Sequence, residues 1–443
     1  MTEYKVGLVS LGCDKNRIDS EIMLKKLSSK YEIVNDPKLA DIIIVNTCGF
    51  IEEAKQEAIN TILEMSKYKD CNCKVLVATG CLTQRYGKDL IDLIPEIDLI
   101  FGVNNYDNLI ESIDEFLRNK EKHCYCEYSN SIINEGERVL TTPKHTAYLR
   151  IAEGCSNYCS YCIIPYIRGN YRSRNMDNIL KEAERLSQSG VRELILVAQD
   201  TTKYGVDIYG ENKIHELVNK ISKIENIKWI KILYCYPEQI KIDLIKEMAN
   251  NAKVCNYLDI PLQHISNNVL KNMKRRTRKE EIINTIQLIR NEIPNIVLRT
   301  SIIVGFPGET QEDFIELKEF IKDTKFDKLG VFKYSKEEGT LASKMDNQVD
   351  DIIKEARLEE LMTEQQKISQ SINKGKIGRT YEVLIEGFKD GYWYGRNYEM
   401  IPEIDGLIWF KCDRILKVGE FINIKIIEAL EYDLIGVVCH ESC

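Results

Sequence analysis

RIAEGCSNYCSYC, residues Arg150 to Cys162, runs from the end of a predicted strand into a loop that contains Cys155, Cys159 and Cys162. Three thiolates with the spacing C-x3-C-x2-C can bind three irons of a 4Fe-4S cube and leave the fourth iron open. The open iron can bind the amino and carboxylate groups of S-adenosylmethionine, and an electron from the reduced cluster then produces a 5'-deoxyadenosyl radical. The stretch therefore predicts radical chemistry, with Tyr161 placed to contact the adenine.

Zinc is the main alternative for this loop. Structural zinc takes four nitrogen or sulfur ligands, usually as two separated pairs, and the loop offers no clear fourth ligand. Inert buried cysteines are a weaker alternative, because three cysteines at this spacing after a strand rarely coincide by chance. The spacing favours an iron-sulfur site.

Six strand patterns, separated by helical stretches, begin with this motif. They are AYLRIAEGC, RELILVAQD, WIKILYCYP, YLDIPLQH, VLRTSIIVGF and KLGVFKYS. Six units in about 190 residues fall short of the roughly 250 residues of an eightfold barrel, which predicts a partial, open (βα)6 barrel. Polar residues at the strand ends should face the barrel mouth, and as cosubstrate contacts we expect Gln199, Asp200, Thr300 and Ser301.

A second α/β region precedes the barrel. Short apolar strands alternate with amphipathic helices from Lys5 to Leu117, which predicts an open, mostly parallel sheet. Cys13, Cys48 and Cys81 each stand at the carboxyl end of one of these strands. Because such strand ends share one edge of a parallel sheet, the three thiols should converge there and bind a second cluster with an open iron. For any one of them alone, packing in the core is the simpler explanation.

The chain changes character after a charged helix that we predict from about Asp351 to Lys374. Short strands and Gly-rich turns follow without a helical period, which predicts a small β-barrel. The sequence thus divides into an N-terminal sheet domain, a charged linker, a radical core and a β-barrel domain, over residues 3–118, 119–144, 145–374 and 375–440.

Composition narrows the class of protein. The chain of 443 residues contains 15 cysteines and shows neither a secretory signal nor an apolar run long enough to cross a membrane. We therefore expect a cytoplasmic protein whose thiols are metal ligands, catalytic groups or core residues rather than disulfides. The net charge of -8 gives no general attraction to a phosphate backbone, so we expect no sequence-specific nucleic acid partner.

Two cysteine triads in this order, followed by a small β-barrel, resemble the radical S-adenosylmethionine methylthiotransferases over essentially the whole chain. The resemblance implies a methylthiotransferase domain, a radical core and a C-terminal TRAM domain. It implies two 4Fe-4S clusters, an auxiliary one on Cys13, Cys48 and Cys81 and a radical one on Cys155, Cys159 and Cys162. One S-adenosylmethionine would supply the methyl group and another the radical, with flavodoxin or ferredoxin as electron donor.

Within this family the substrate is either a tRNA adenosine or an aspartate of small-subunit ribosomal protein S-twelve. The strings that look like the ribosomal-protein branch are SLGCDKNRIDSE (10–21), CSYCIIPYIRGNYRSR (159–174), YCYPEQI (234–240) and EYDLIG (431–436). Asp14 departs from that branch, which more often carries proline there. The resemblance implies methylthiolation of the aspartate β-carbon, giving 3-methylthioaspartate on S-twelve, either free or on the ribosome.

The charge of the last domain is an independent check on the substrate. From Lys376 onward the chain contains eight Lys or Arg against 12 Asp or Glu. A barrel that reads RNA should be basic, whereas an acidic barrel suits a highly basic ribosomal protein. The C-terminal domain therefore favours the ribosomal-protein branch.

Three arginines follow the cysteine loop. The guanidinium groups of Arg168, Arg172 and Arg174 can hold the carboxylate of the cosubstrate or of the target aspartate, although surface charges on a loop explain them equally well. Two other functions stay open at this point. One is the same chemistry on a tRNA adenosine, and the other is a non-catalytic, metal-bound module that binds ribosomes or RNA.

Overall fold

The computed structural model describes residues 4–104, 106–129 and 133–439. Within them the chain forms two six-stranded parallel sheets, a closed five-stranded barrel and one short strand pair. Residues 3 and 440, the ends of the first and last predicted domains, lie outside the described residues. No helix in the described part of the chain has the length and apolar character needed to span a membrane.

The first sheet is formed by the N-terminal region. Its strands are β1 (Lys5–Ser10), β2 (Glu32–Ile33), β3 (Ile42–Thr47), β4 (Val75–Gly80), β5 (Leu99–Phe101) and β6 (His123–Tyr125), in the order β2-β1-β3-β4-β5-β6. Its helices are α1 (Asp14–Leu27), α2 (Glu52–Ser66), α3 (Cys81–Leu93) and α4 (Leu109–Asn119). Every residue of β3 and β4 is buried, as expected for parallel strands that are covered on both faces.

The segment that we predicted to be a linker differs in part from that prediction. β6 lies within it and pairs in parallel with β5 at the edge of the first sheet. Its three residues are only half-buried, and a strand this short has too few residues to show an alternating apolar pattern. Pairing with β5, rather than local sequence, makes this segment a strand.

The second sheet is the predicted open barrel of six parallel strands. Its strands are β7 (Thr146–Arg150), β10 (Glu193–Val197), β11 (Trp229–Ile232), β12 (Val254–Asp259), β13 (Val297–Val304) and β14 (Lys328–Lys333), which are neighbours in this order, while β8 (Ala152–Glu153) and β9 (Arg172–Ser173) form the short antiparallel pair. The helices are α5 (Ile164–Arg168), α6 (Met176–Gln188), α7 (Val206–Tyr209), α8 (Ile214–Ser222), α9 (Ile242–Asn250), α10 (Asn267–Asn272), α11 (Lys279–Glu292), α12 (Gln311–Thr324) and α13 (Asp351–Lys374). The predicted fold class is confirmed.

The C-terminal strands close into the predicted small barrel. They are β15 (Thr380–Lys389), β16 (Tyr392–Arg396), β17 (Ile408–Lys411), β18 (Phe421–Ala429) and β19 (Leu434–Val438), in the order β15-β16-β17-β19-β18. Closure leaves no unpaired strand edge in this domain.

One apolar cluster joins all three units. Strands of the open sheet contribute residues such as Ile195 and Tyr257, α1 contributes Ile18 and Ile22, and the C-terminal barrel contributes Leu384. α1 is enclosed by this arrangement, so that ten of its 14 residues are buried, including several polar ones. The N-terminal sheet and the open sheet therefore meet along α1, the helix that directly follows Cys13.

A buried ionic group fastens the C-terminal barrel to the open sheet. The Glu193 carboxylate accepts hydrogen bonds from Arg396 Nη1 and Nη2 at 3.0 and 2.6 Å, and from Lys231 Nζ at 2.8 Å. Burial alone would raise the pKa of Glu193, but the charges of Arg396 and Lys231 hold this pKa well below its usual range. Both salt bridges are fully enclosed.

Replacing Arg396 by Met is expected to destabilise the protein by about 3–5 kcal/mol, because Glu193 then stays buried with one fewer cation. The folded-state pKa of Glu193 is lowered. The stabilisation from its ion pairs is therefore fully present above the ordinary glutamate pKa of about 4.3, and it is lost as the pH falls from there towards the folded-state pKa. Thermal unfolding of wild type and variant should therefore differ most near neutral pH. Arg414→Met, which affects an exposed pair with Glu420 in the same barrel, is the control. Equal losses in both variants would contradict the prediction.

Candidate active site

The first cysteine triad lies at the carboxyl edge of three adjacent strands. β1 and β4 flank β3, and the register pairs Ser10 with Asn46 and Thr47 with Gly80. Cys48 directly follows β3, Cys81 follows β4 as the first residue of α3, and Cys13 precedes α1. The structure thus brings the three predicted ligands to one edge of the sheet.

Glycine beside this triad lets the backbone pack closely against Cys48. Gly12 has φ +86°, and a Cβ at this position would lie 2.8 Å from Cys48 Cβ and 3.1 Å from Cys48 Sγ. Cys13 is exposed, Cys48 is half-buried and Cys81 is buried, and none of them forms a disulfide. Three free thiols on one edge, with a glycine beside them, fit a bulky sulfur-bound group.

The second triad lies in the loop between β8 and α5. The loop is held by hydrogen bonds from Cys155 N to the Gly169 carbonyl at 2.9 Å and from Ser160 N to the Met273 carbonyl at 3.0 Å. Ser160 Oγ also donates to the Asn272 carbonyl at 2.7 Å. The end of α10 therefore shapes the loop in which the thiols stand.

Burial favours the protonated thiol at one cysteine of each triad. It raises the pKa of the Cys81 thiol to about 12 and that of the Cys155 thiol to about 11. A bound metal deprotonates its cysteine ligands outright. The enclosed thiols consequently suit a metal group better than a free thiolate role.

The geometry of the described residues also bears on whether a single metal ion could bind. Among residues 4–104, 106–129 and 133–439, no three His, Cys, Asp or Glu side chains lie close enough together to hold one metal ion. In an iron-sulfur site each cysteine binds a different iron, so its ligands stand farther apart than those of one ion.

Tyr161 lies against the turn that follows β13. Its ring makes an edge-to-face contact with Phe306, with 6.5 Å between the ring centroids. Phe306 in turn contacts Tyr334, so the wall beside Tyr161 is aromatic. Phe306 and Tyr334 are buried, so the half-buried ring of Tyr161 is the part of this group that can take the flat face of a purine.

Gln199 and Asp200, at the end of β10, face the cysteine loop. Gln199 Nε2 donates to Glu153 Oε1 at 3.0 Å, while its Oε1 is buried with no partner among the described residues. Asp200 accepts from Asn157 Nδ2 of the loop at 2.9 Å and from Thr202 Oγ1 at 2.8 Å. Burial raises the pKa of Asp200.

Thr300 and Ser301 lie within β13. Thr300 Oγ1 donates to the Ile260 carbonyl at 2.8 Å and accepts from Leu262 N at 3.3 Å, which ties β13 to the segment after β12. The Ser301 carbonyl accepts from Gln263 N at 2.9 Å. These bonds connect the strands, and contact of either side chain with a cosubstrate stays a prediction.

Two of the three predicted arginines are buried rather than exposed on a loop. Arg174 is paired with Glu135 at 2.9 Å and with Glu182 at 2.7 Å. Arg168 is only 2% exposed and pairs with Asp19 at 2.9 Å. Arg172 donates to Tyr128 Oη at 2.8 Å. Carboxylates of the protein already occupy Arg168 and Arg174, and a cosubstrate role for them stays a prediction.

Sequence reasoning missed a buried polar cluster between the two triads. Arg150 Nη1 donates to Asp19 Oδ1 at 2.7 Å and to Glu153 Oε2 at 2.8 Å. Asn16 Nδ2 donates to the Thr47 carbonyl at 2.9 Å and to the Leu11 carbonyl at 3.1 Å. The available signal was α1 itself, in which polar residues occupy helical positions that an ordinary surface helix gives to apolar side chains.

Arg275 was also missed, because it stands in the basic run KRRTRK, which is typical of a solvated surface. The residue is only 8% exposed, and its guanidinium lies over the Tyr236 ring at 4.3 Å. Nη2 donates to the Pro261 carbonyl at 2.8 Å, whereas Nη1 is buried with no partner in the described part of the chain. Its charge interacts with Tyr161 and Cys159.

Comparison with known families divides the chain as the fold does. Residues 5–102 match the Uncharacterized protein family UPF0004, residues 149–321 match the Radical SAM superfamily, and residues 377–439 match the TRAM domain. The two cysteine triads fall in the first and second of these regions.

Two relatives that match over their full length carry the same name. The chain is 61% identical over 442 residues to the ribosomal protein uS12 methylthiotransferase RimO of Clostridium novyi (strain NT), covering 100% of both chains. It is 60% identical to the protein of the same name from Clostridium acetobutylicum (strain ATCC 824), covering 100% of this chain and 99% of the relative. The chain belongs to the uS12 methylthiotransferase family. As a member of it, the chain is a radical S-adenosylmethionine enzyme, with S-adenosylmethionine and iron-sulfur chemistry.

Solved structures share the fold of much of this chain. The radical S-adenosylmethionine methyltransferase TsrM from Kitasatospora setae, with cobalamin and a 4Fe-4S cluster bound, has a TM-score of 0.56 at 14% identity and covers 75% of each chain. The cobalamin-dependent S-adenosylmethionine radical enzyme OxsB has a TM-score of 0.52 at 14% identity, covering 83% of this chain and 56% of that one. At such identities the likeness concerns the arrangement of sheets and helices.

Proposed function

We propose that this chain transfers a methylthio group to the β-carbon of an aspartate in ribosomal protein uS12, the protein called S-twelve above, and so forms 3-methylthioaspartate. The observation that carries the proposal is identity of at least 60% over the full length to relatives named for this activity. A ribosomal protein substrate also suits the cytoplasm as the site of the reaction.

Two clusters are part of this proposal. Cys155, Cys159 and Cys162 would hold the radical cluster, and Cys13, Cys48 and Cys81 the auxiliary one. When bound, the first would supply a radical from S-adenosylmethionine, and the second would carry the sulfur that is delivered. Flavodoxin or ferredoxin is the proposed class of electron donor.

The chain itself binds and encloses the reactants. The ring of Tyr161, which packs edge-to-face on the buried Phe306, takes the adenine, and Asp200 holds the cysteine loop through Asn157. The burial of Cys155 and Cys159 keeps water away from a reactive radical. Arg275 Nη1, which has no partner within the described parts of the chain, is available to the cosubstrate carboxylate.

Arg275→Met is expected to weaken binding of S-adenosylmethionine about ten- to a hundredfold, the equivalent of one lost hydrogen bond between charged groups. Isothermal titration of reconstituted protein with S-adenosylmethionine measures this effect. Arg276→Met is the matched control, because the neighbouring side chain is exposed. Unchanged affinity in Arg275→Met would remove this residue from the site.

The substrate is tested by incubating reconstituted protein with S-adenosylmethionine, a reductant and either uS12 or tRNA. Mass spectrometry should show the added methylthio group on a uS12 aspartate. The acidic C-terminal barrel supports the protein substrate over RNA, since a basic partner is attracted to it. Methylthiolated tRNA adenosine with unmodified uS12 would instead establish the tRNA alternative. S-adenosylmethionine cleavage in neither reaction would favour the non-catalytic module.

A further inference from the structure

One arginine side chain reaches from the radical loop to the auxiliary triad. Arg168 is the last residue of α5, the helix that follows the Cys155–Cys162 loop. Its Nη2 lies 3.5 Å from Cys81 Sγ and donates to Asn16 Oδ1 at 2.6 Å. Asn16 belongs to α1, which begins directly after Cys13. A single guanidinium therefore contacts elements that carry ligands of both triads.

The position of this guanidinium is fixed from its other side. Arg168 Nη1 donates to Asp19 Oδ2 at 2.9 Å and lies 3.3 Å from both carboxylate oxygens of Glu153. Asp19 belongs to α1, and Glu153 precedes the radical loop in β8. All these side chains are buried, so solvent does not weaken the interactions.

Arg150 provides an internal comparison. Its guanidinium shares the carboxylates of Asp19 and Glu153 with Arg168 and is equally buried. Two carboxylates and two guanidinium groups balance in charge. Among the described residues of this group, only the Arg168 guanidinium donates a hydrogen bond to a cysteine. Charge balance therefore does not explain why Arg168, unlike Arg150, contacts Cys81.

We propose that Arg168 is a positioning residue of the auxiliary site, which holds Cys81 by an N–H···S hydrogen bond and keeps the auxiliary triad in register with the radical loop. The inference rests on the proposed ligand role of Cys13, Cys48 and Cys81. Hydrogen bonds to cluster sulfurs and nearby positive charge favour the reduced state of an iron-sulfur cluster. Arg168 should therefore raise the reduction potential of the auxiliary cluster.

The test isolates the auxiliary cluster. Cys155, Cys159 and Cys162 are replaced by alanine in the full-length chain, and Arg168→Met or Arg150→Met is added to this background. Iron content and the reduction midpoint, followed by electron paramagnetic resonance, are measured in each protein. Arg168→Met should disfavour reduction about tenfold, which is about 59 mV for a one-electron couple. Arg150→Met should cause a clearly smaller shift.

Further variants distinguish the effect of the Arg168 hydrogen bond from the effects of misfolding and of a lost positive charge. Arg168→Lys keeps the positive charge but lacks the planar guanidinium with its several donors. Its reduction potential should therefore lie between those of Arg168→Met and of the protein with Arg168. Circular dichroism and thermal unfolding identify a variant that fails to fold, and Arg168→Lys then carries the comparison with Arg150→Lys. Equal shifts at Arg150 and Arg168, or an intact cluster with an unshifted potential, would overturn this inference alone. A background protein that folds but binds no iron would overturn the ligand assignment as well.

Discussion

Replacing Cys155, Cys159 and Cys162 by alanine is expected to abolish the formation of 5'-deoxyadenosine and to leave about half of the iron. Two 4Fe-4S clusters amount to about eight irons per chain, so about four should remain. Without the three thiolates, the site at which the chain would bind and cleave S-adenosylmethionine is lost. Chromatography of the reaction products and colorimetric iron determination measure the two effects.

The control for this experiment removes cysteines that lie outside both triads. Cys235 and Cys255 are buried free thiols in the open-sheet domain, and Cys71 is an exposed one. Alanine at these three positions should retain the iron and the 5'-deoxyadenosine, with only a loss of stability from the buried sites. Continued 5'-deoxyadenosine formation in the first variant would rule out its loop as the radical site.

Replacing Cys13, Cys48 and Cys81 by alanine is expected to separate the two halves of the reaction. Hydrogen bonds from the loop N–H groups of Cys155 and Ser160 to the Gly169 and Met273 carbonyls hold the radical loop independently of the strand ends that carry these cysteines. The variant should therefore still cleave S-adenosylmethionine, whereas methylthio product on uS12 should fall below detection. Mass spectrometry of uS12 and measurement of 5'-deoxyadenosine in the same reaction test both expectations.

The same control variant, changed at Cys71, Cys235 and Cys255, should make methylthiolated uS12. The iron content of the Cys13, Cys48 and Cys81 variant should again be about half that of wild type. A variant that retains all of its iron and still modifies uS12 would show that the auxiliary sulfur site lies elsewhere.

Regular apolar patterns made much of the fold predictable. The six strands of the open sheet and the C-terminal barrel follow from runs whose period and length are typical of buried strands. β6 could not be predicted in this way, because three half-buried residues carry almost no pattern. Its pairing with β5 depends on a neighbour that is distant in sequence.

The candidate site was predictable only where chemistry is encoded locally. The C-x3-C-x2-C spacing indicates an iron-sulfur loop by itself, and strand ends predicted the convergence of Cys13, Cys48 and Cys81. The burial of Arg168 and Arg275 could not be predicted, since charged residues in a loop or a basic run usually face solvent. Burial and pairing of a side chain depend on elements that pack against it from other parts of the chain.

The sequence by itself therefore predicted the two sets of thiols, and it determined the order of the three folding units and the class of chemistry, because cysteine spacing and apolar periodicity are visible within a few residues. Only the tertiary structure decided how the two triads are connected. α1 packs between the sheets and brings Asp19 and Asn16 to Arg168, whose guanidinium reaches Cys81. Long-range packing buries these charges together, and such charges are stable inside a protein only when they are paired.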